Sequence, residues 1–156
     1  MTRESTLFNI RYSFHIETMQ ATLYNRADKF LTFAQILLGS AIFADYGSLP
    51  IFGACVASIS IASFVWQPGK MALLHEIQAK KMKALTTLPA SISDDDLYAS
   101  YQRAEETDNP TLGLLRDAAY KRAWIAMGHP EESKKVTLTV AEKITAWLAG
   151  DLPKDH

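Results

Sequence analysis

Three consecutive carboxylates, Asp94, Asp95 and Asp96, are the densest group of potential metal ligands in this chain. They make a poor cage. Neighbouring side chains on a helix step by about 100°, so the three cannot converge on one ion. Ser93-x-x-Asp96 fits a helix N-cap better, with acids in the first turn where the helix dipole favours them. The histidines, His15, His75, His129 and His156, have no paired ligand spacing. The lone cysteine, Cys55, lies inside an apolar run, where a thiol acts as a small hydrophobe. No phosphate-cradling loop, dinucleotide fingerprint, nucleophile elbow or zinc motif occurs. The expectation is a protein that is not an enzyme and uses no metal and no cofactor.

The chemistry the sequence does offer is that of apolar surface. Residues 30–67 carry one charged side chain, Asp45, in 38 positions. Two greasy runs flank a short polar break, DYGS. A helix of about 20 apolar residues crosses the ~30 Å hydrocarbon core of a bilayer. The second run, Leu49 to Trp66, has 18 residues without a charge; the first has 15. The first is short and needs Asp28, Lys29 and Asp45 to reach the headgroups. The expected element is a transmembrane helical hairpin, 30–45 and 49–67. The alternative is a buried hairpin in a soluble bundle. Lys29, Tyr46, Trp66 and Lys70 are the expected interface anchors, because amphipathic rings and long cations prefer that layer.

Charge sets the expected orientation. Arg3, Arg11, Arg26 and Lys29 precede the hairpin; Lys70, Lys80, Lys81 and Lys83 follow it; the turn holds neither Lys nor Arg. Basic residues stay on the cytoplasmic side. Both outer flanks are therefore expected in the cytoplasm, with the turn on the other side of the membrane. Residues 1–29 lack the pattern of a signal peptide. The lysines at 80–83 would also suit anionic headgroups. A net charge of −1 gives no field that would attract nucleic acid.

Around the hairpin the chain reads as helices. Residues 1–29 are an amphipathic N-terminal segment with Phe8, Tyr12, His15, Met19 and Leu23 at helical spacing. Residues 70–88 form a basic helix with Met71, Leu74, Ile77, Leu85 and Leu88 near one side, stopped by Pro89. A third helix runs from Ser93 to about Thr107. Asn109-Pro110 opens a fourth, closed by Gly128. Thr139-x-x-Glu142 caps a last one, closed by Gly150. The fold class expected is all-α: the N-terminal helix, the hairpin over 30–67, and a small cytoplasmic helical region over 68–156.

Inside the hairpin the telling residues are small or polar. Gly53, Ala57 and Ser60 share one face of the second helix, and Gly39 sits in the first. Small side chains let helices approach closely in lipid. They serve either a homo-oligomer or the packing of one hairpin. Gln35 is the strongly polar residue near the middle of the first helix. Polar groups at depth face protein or water, so it lines a pore or bonds within its own hairpin.

The whole chain resembles a family of small bacterial two-transmembrane proteins, often prophage-borne, similar in layout to SLATT-type effector modules of bacterial conflict systems. The matching segments are Arg11-Tyr12, ADKFLTF at 27–33, GSAIFAD at 39–45, LLHEIQ at 73–78 and DNPTLGLLRDAAYKRAWIAMG at 108–128. The resemblance implies a membrane effector in phage defence, or abortive infection. It would assemble as a homo-oligomer in the lipid bilayer and permeabilise it when a phage or host protein triggers it. The competing expectation is a non-permeabilising membrane scaffold or receptor that binds such a protein through its cytoplasmic helices.

Overall fold

The computed structural model describes residues 2–43, 48–106 and 109–154. Every regular element among them is helical. The first helix, α1 (Arg3–Phe43), is 41 residues long, about 60 Å at 1.5 Å per residue. The N-terminal segment 1–29 and the first apolar run are therefore not separate units. No glycine or proline interrupts them between Arg3 and Phe33, so the helix simply continues.

The chain returns along α1 as two helices, α2 (Leu49–Trp66) and α3 (Pro68–Thr86). Their junction is Gln67, at φ 46° and ψ 52°. Pro68 occupies the first turn of α3, a position that suits its fixed φ and missing N–H. Pro68-Gly69 thus follows directly on the end of α2 and also opens α3. Asp28 was expected to reach the headgroups. It turns inward, and a Cβ added at Gly69 would lie 3.1 Å from its Oδ1. The carboxylate thereby faces the first turn of α3, the favourable end of that dipole.

Residues below this crossing form a stem, those above it an apolar arm. Four further helices wrap the stem: α4 (Asp94–Glu105), α5 (Arg116–Ala126), α6 (Pro130–Lys134) and α7 (Val140–Leu148). Ile10, Met82, Leu97 and Tyr101 make one apolar cluster; Ile16, Met19, Leu115, Ala118, Ala119, Ala146 and Ala149 make another. Arg3 ties α4 to α1 by donating to Ile92 O at 2.9 Å and to Asp94 Oδ1 at 3.0 Å.

The three aspartates begin α4 as a capped first turn. The Asp96 N–H donates to Ser93 Oγ at 3.1 Å. At α7 the capping box is complete: the Glu142 N–H donates to Thr139 Oγ1, and the Thr139 N–H donates to Glu142 Oε2 at 2.7 Å. That donation holds the exposed Glu142 carboxyl below its usual range.

Other expectations moved. Pro110 opens no helix; residues 109–112 are irregular, and α5 begins only at Arg116 after a 3-10 turn, Gly113–Leu115. The Leu112 N–H is taken instead by Gln20 Oε1 at 2.6 Å. This strap across α1 places Leu115 in the core. The third helix ends at Glu105, and Thr107 lies outside the described residues. On α3 the buried residues are Pro68, His75, Gln78, Ala79 and Met82, while Leu74 and Ile77 of the expected apolar side remain exposed.

Candidate membrane hairpin and the polar cluster beneath it

Among the described residues, one helix is long and apolar enough to cross a membrane. It is Leu49–Thr86 when α2 and α3 are taken together, and its most apolar stretch is wholly unburied. The backbone breaks at Gln67, so the candidate span is α2 itself. Its 18 residues give about 27 Å, close to the hydrocarbon thickness. The first run does not reach that standard alone. Its described part, residues 30–43, extends roughly 21 Å.

The exterior of the arm is apolar on both helices. Phe30, Phe33, Ile36 and Leu37 of α1 are exposed, as are Leu49, Ile51, Ile61, Phe64, Val65 and Trp66 of α2. In water such a surface far exceeds the patches that monomers tolerate. Phe52, Val56, Ile59 and Ser63 follow one another at helical spacing as the more covered side of α2.

The assembly candidates divide. Gln35 Nε2 donates to Ser60 Oγ across the arm at 3.3 Å, and Ser60 Oγ donates on to Val56 O at 2.8 Å. Gln35 and Ser60 thus meet across α1 and α2 within one chain. Gly39 and Gly53 would each accept a Cβ with nothing within 4 Å. Ala57 is exposed. These glycines are therefore not consumed by the packing of α1 on α2.

Lys29, Trp66 and Lys70, three of the expected interface anchors, sit at the base of the arm. Lys29 and Lys70 follow Asp28 and Gly69 directly and are exposed. Trp66 is 58 % exposed, its ring edge-on to Tyr24 with centroids 6.4 Å apart. Tyr46 lies outside the described residues.

Beneath the anchors sits a cluster that the sequence reading did not single out. His75 Nδ1 lies 2.7 Å from Glu17 Oε2, with both side chains buried. The contact assigns the proton to Nδ1, which donates to the carboxylate. Gln20 Nε2, 3.5 Å from the same nitrogen, is then a second donor facing a donor. Gln20 is held instead by the strap at Leu112. The Tyr24 ring stacks on His75 at 5.4 Å and 2°. Gln78 Nε2 donates to Ala104 O at 2.7 Å and links the cluster to α4. The sequence held a signal for this: Ser13, Glu17, Gln20 and Tyr24 form a stripe at i, i+4, i+7 and i+11, and His75 and Gln78 form a matching one.

His15 lies on another side of α1, beside the Arg122–Asp151 ion pair of 3.0 Å. Burial lowers its pKa to about 4; Asp151 opposes this, while Arg122 and Arg11 add to it. Among the described residues no three His, Cys, Asp or Glu side chains converge as a metal site would require.

Comparison of the chain with protein-family models, with curated proteins and with solved structures finds no match.

Proposed function

We propose that this chain is an integral protein of the bacterial inner membrane, with its arm spanning the bilayer and its stem in the cytoplasm. The observation that carries the reading is the arm's exterior: large apolar side chains on both helices stand more than half exposed. Lipid satisfies that surface at no cost, whereas water does not. Basic residues on both outer flanks and none in the turn support the stated orientation. A cysteine placed at Ser48, in a Cys55→Ser background, is expected to react with a membrane-impermeant reagent from the periplasmic side. One at Ser91 is expected to react only after the inner membrane is opened. The reverse pattern sinks the topology, and labelling of both in a soluble extract sinks the membrane reading.

Within that membrane, the proposed activity is oligomerisation into a lesion that permeabilises the bilayer during phage infection. The support is the resemblance to SLATT-type effectors together with the open faces at Gly39 and Gly53. Gly53→Leu is expected to insert normally and to lose the crosslinked oligomer ladder, because the added side chain holds backbones apart. Induced cells are expected to lose membrane potential and take up propidium on infection; intact membranes would reject the lesion.

The scaffold reading is favoured by one observation, the Gln35–Ser60 bond. It turns one N–H of Gln35 toward α2 rather than toward a wet path. Exchange of the arm for an unrelated two-helix anchor separates the readings: a scaffold survives it and a lesion does not.

A further inference from the structure

Helix α7 is built inside out for a helix packed on a water-soluble surface. Its buried side holds Ala146, with Ala149 just beyond its end. Its large apolar residues, Val140, Ile144, Trp147 and Leu148, face outward, and Trp147 is 66 % exposed. Their spacing puts them within an arc of about 100°. Lys143 borders that arc and is exposed.

The place of α7 in the fold says what covers this face. Arg26 Nη1 donates to Leu148 O at 2.7 Å and to Trp147 O at 3.3 Å. Gly150, at φ 83°, turns the chain away with its backbone against Thr22 and Arg26. The C-terminal end of α7 is thus fixed to α1 four residues before the apolar arm begins at Phe30, roughly 6 Å along the helix axis. With the arm in the bilayer, a helix held that close to its base lies at the level of the headgroup layer, where interfacial helices seat their apolar faces. The charges agree. Lys29, Lys70 and Lys143 are exposed. The nearby acids are turned to internal work: Asp28 to Gly69, Glu142 to its cap, Asp151 to Arg122.

We propose that the outer face of α7 is a lipid-docking surface, seated on the anionic headgroup layer beside the point where the arm enters the membrane. The proposal rests on the membrane reading of the arm and adds a second, lateral contact to it. The stem would then lie against the bilayer rather than stand clear of it.

The test uses the full chain, Cys55→Ser, in vesicles of phosphatidylethanolamine and phosphatidylglycerol. One variant, Ile144→Cys, carries an environment-sensitive fluorophore on α7; another, Ile61→Cys, carries it on the arm. The probe at 144 is expected to shift to the blue, resist iodide and be quenched by headgroup spin-labelled lipid. The probe at 61 is expected to be quenched by acyl-chain spin label. Adding Trp147→Glu should abolish quenching at 144 while the helical circular dichroism and the signal at 61 persist. A probe at 144 open to iodide, with 61 still quenched, overturns the docking and leaves the arm in place. Shielding at 144 from iodide without quenching by lipid also overturns it, and identifies a protein cover such as a second copy. An unquenched probe at 61 overturns the membrane reading, and the docking with it.

Discussion

In the stem, α1 and α3 press Glu17, Gln20, His75 and Gln78 between them and leave Leu73, Leu74 and Ile77 exposed. In the arm, α1 and α2 expose Phe30, Phe33, Ile36, Ile61 and Phe64 and join by little more polar contact than Gln35 with Ser60. The same long α1 serves both. What changes at the crossing of Asp28 and Gly69 is the surroundings. The stem carries a shell of helices, so leaving an interior polar group unpaired is costly, and its specificity comes from which partners meet, as Glu17 and His75 do. The arm carries no shell, so apolar area alone decides where it can reside. An extended helix can thus join two environments without a break if its side chains, rather than its backbone, change character.

The strongest way to break the comparison is to strip the stem of its polar pair. His75→Leu leaves the Glu17 carboxylate buried without that partner and is expected to cost about 3–5 kcal/mol. The double variant Glu17→Leu, His75→Leu is expected to recover most of that loss, since a buried pair replaced by apolar groups is often neutral. Denaturant unfolding of the detergent-solubilised protein, followed by circular dichroism, measures both. A double variant no better than the single one would show that the pair itself is indispensable.

A charge in the arm is the converse intrusion. Ile61→Arg is expected to lower insertion by roughly 2.5–3.5 kcal/mol, with the stem still folded. Membrane fractionation reads this as loss from the pellet. A variant that stays in the membrane at wild-type level would mean that α2 does not span.

The pH response belongs to the stem. The His15 pKa is depressed, to about 4 from 6.5, so the native state resists a proton that the unfolded chain accepts. Its stability is then fully present above pH 6.5 and is lost as the pH falls from there towards 4. The loss is expected to reach about 2 kcal/mol after allowance for partial solvent screening. His15→Gln is expected to flatten that part of the stability profile and to leave insertion of the arm unchanged at any pH.

The smallest expected effect concerns the bond across the arm. Gln35→Leu removes one interhelical hydrogen bond in lipid, worth about 0.6 kcal/mol. Unfolding should scarcely change. Vesicle leakage is the sharper readout: reduced leakage with intact assembly would assign Gln35 to a wet path, and unchanged leakage would assign it to the hairpin alone.

The arm was legible because it depends on composition. A stretch of 38 residues with one charge states its preference without reference to anything else. The caps at Ser93 and Thr139 were legible for the same reason: each is a local contact across three residues. Pro110 misled because a strong local signal yielded to a distant one, the hold of Gln20 on Leu112 across 92 positions. The α3 face misled because hydrophobic spacing alone picked Leu74 and Ile77, whereas the side facing α1 is chosen by its partners there.

The sequence by itself determined the all-helical class, the apolar stretch and the capped helix starts at Ser93 and Thr139, because these follow from side-chain chemistry within one or two turns. The tertiary structure alone decided that α1 runs unbroken through both halves, that Glu17 meets His75, and that α7 turns its large residues outward. Each of those depends on groups far apart in the chain finding one another. Local spacing says which face is polar or apolar, and only the packed helices say what that face meets.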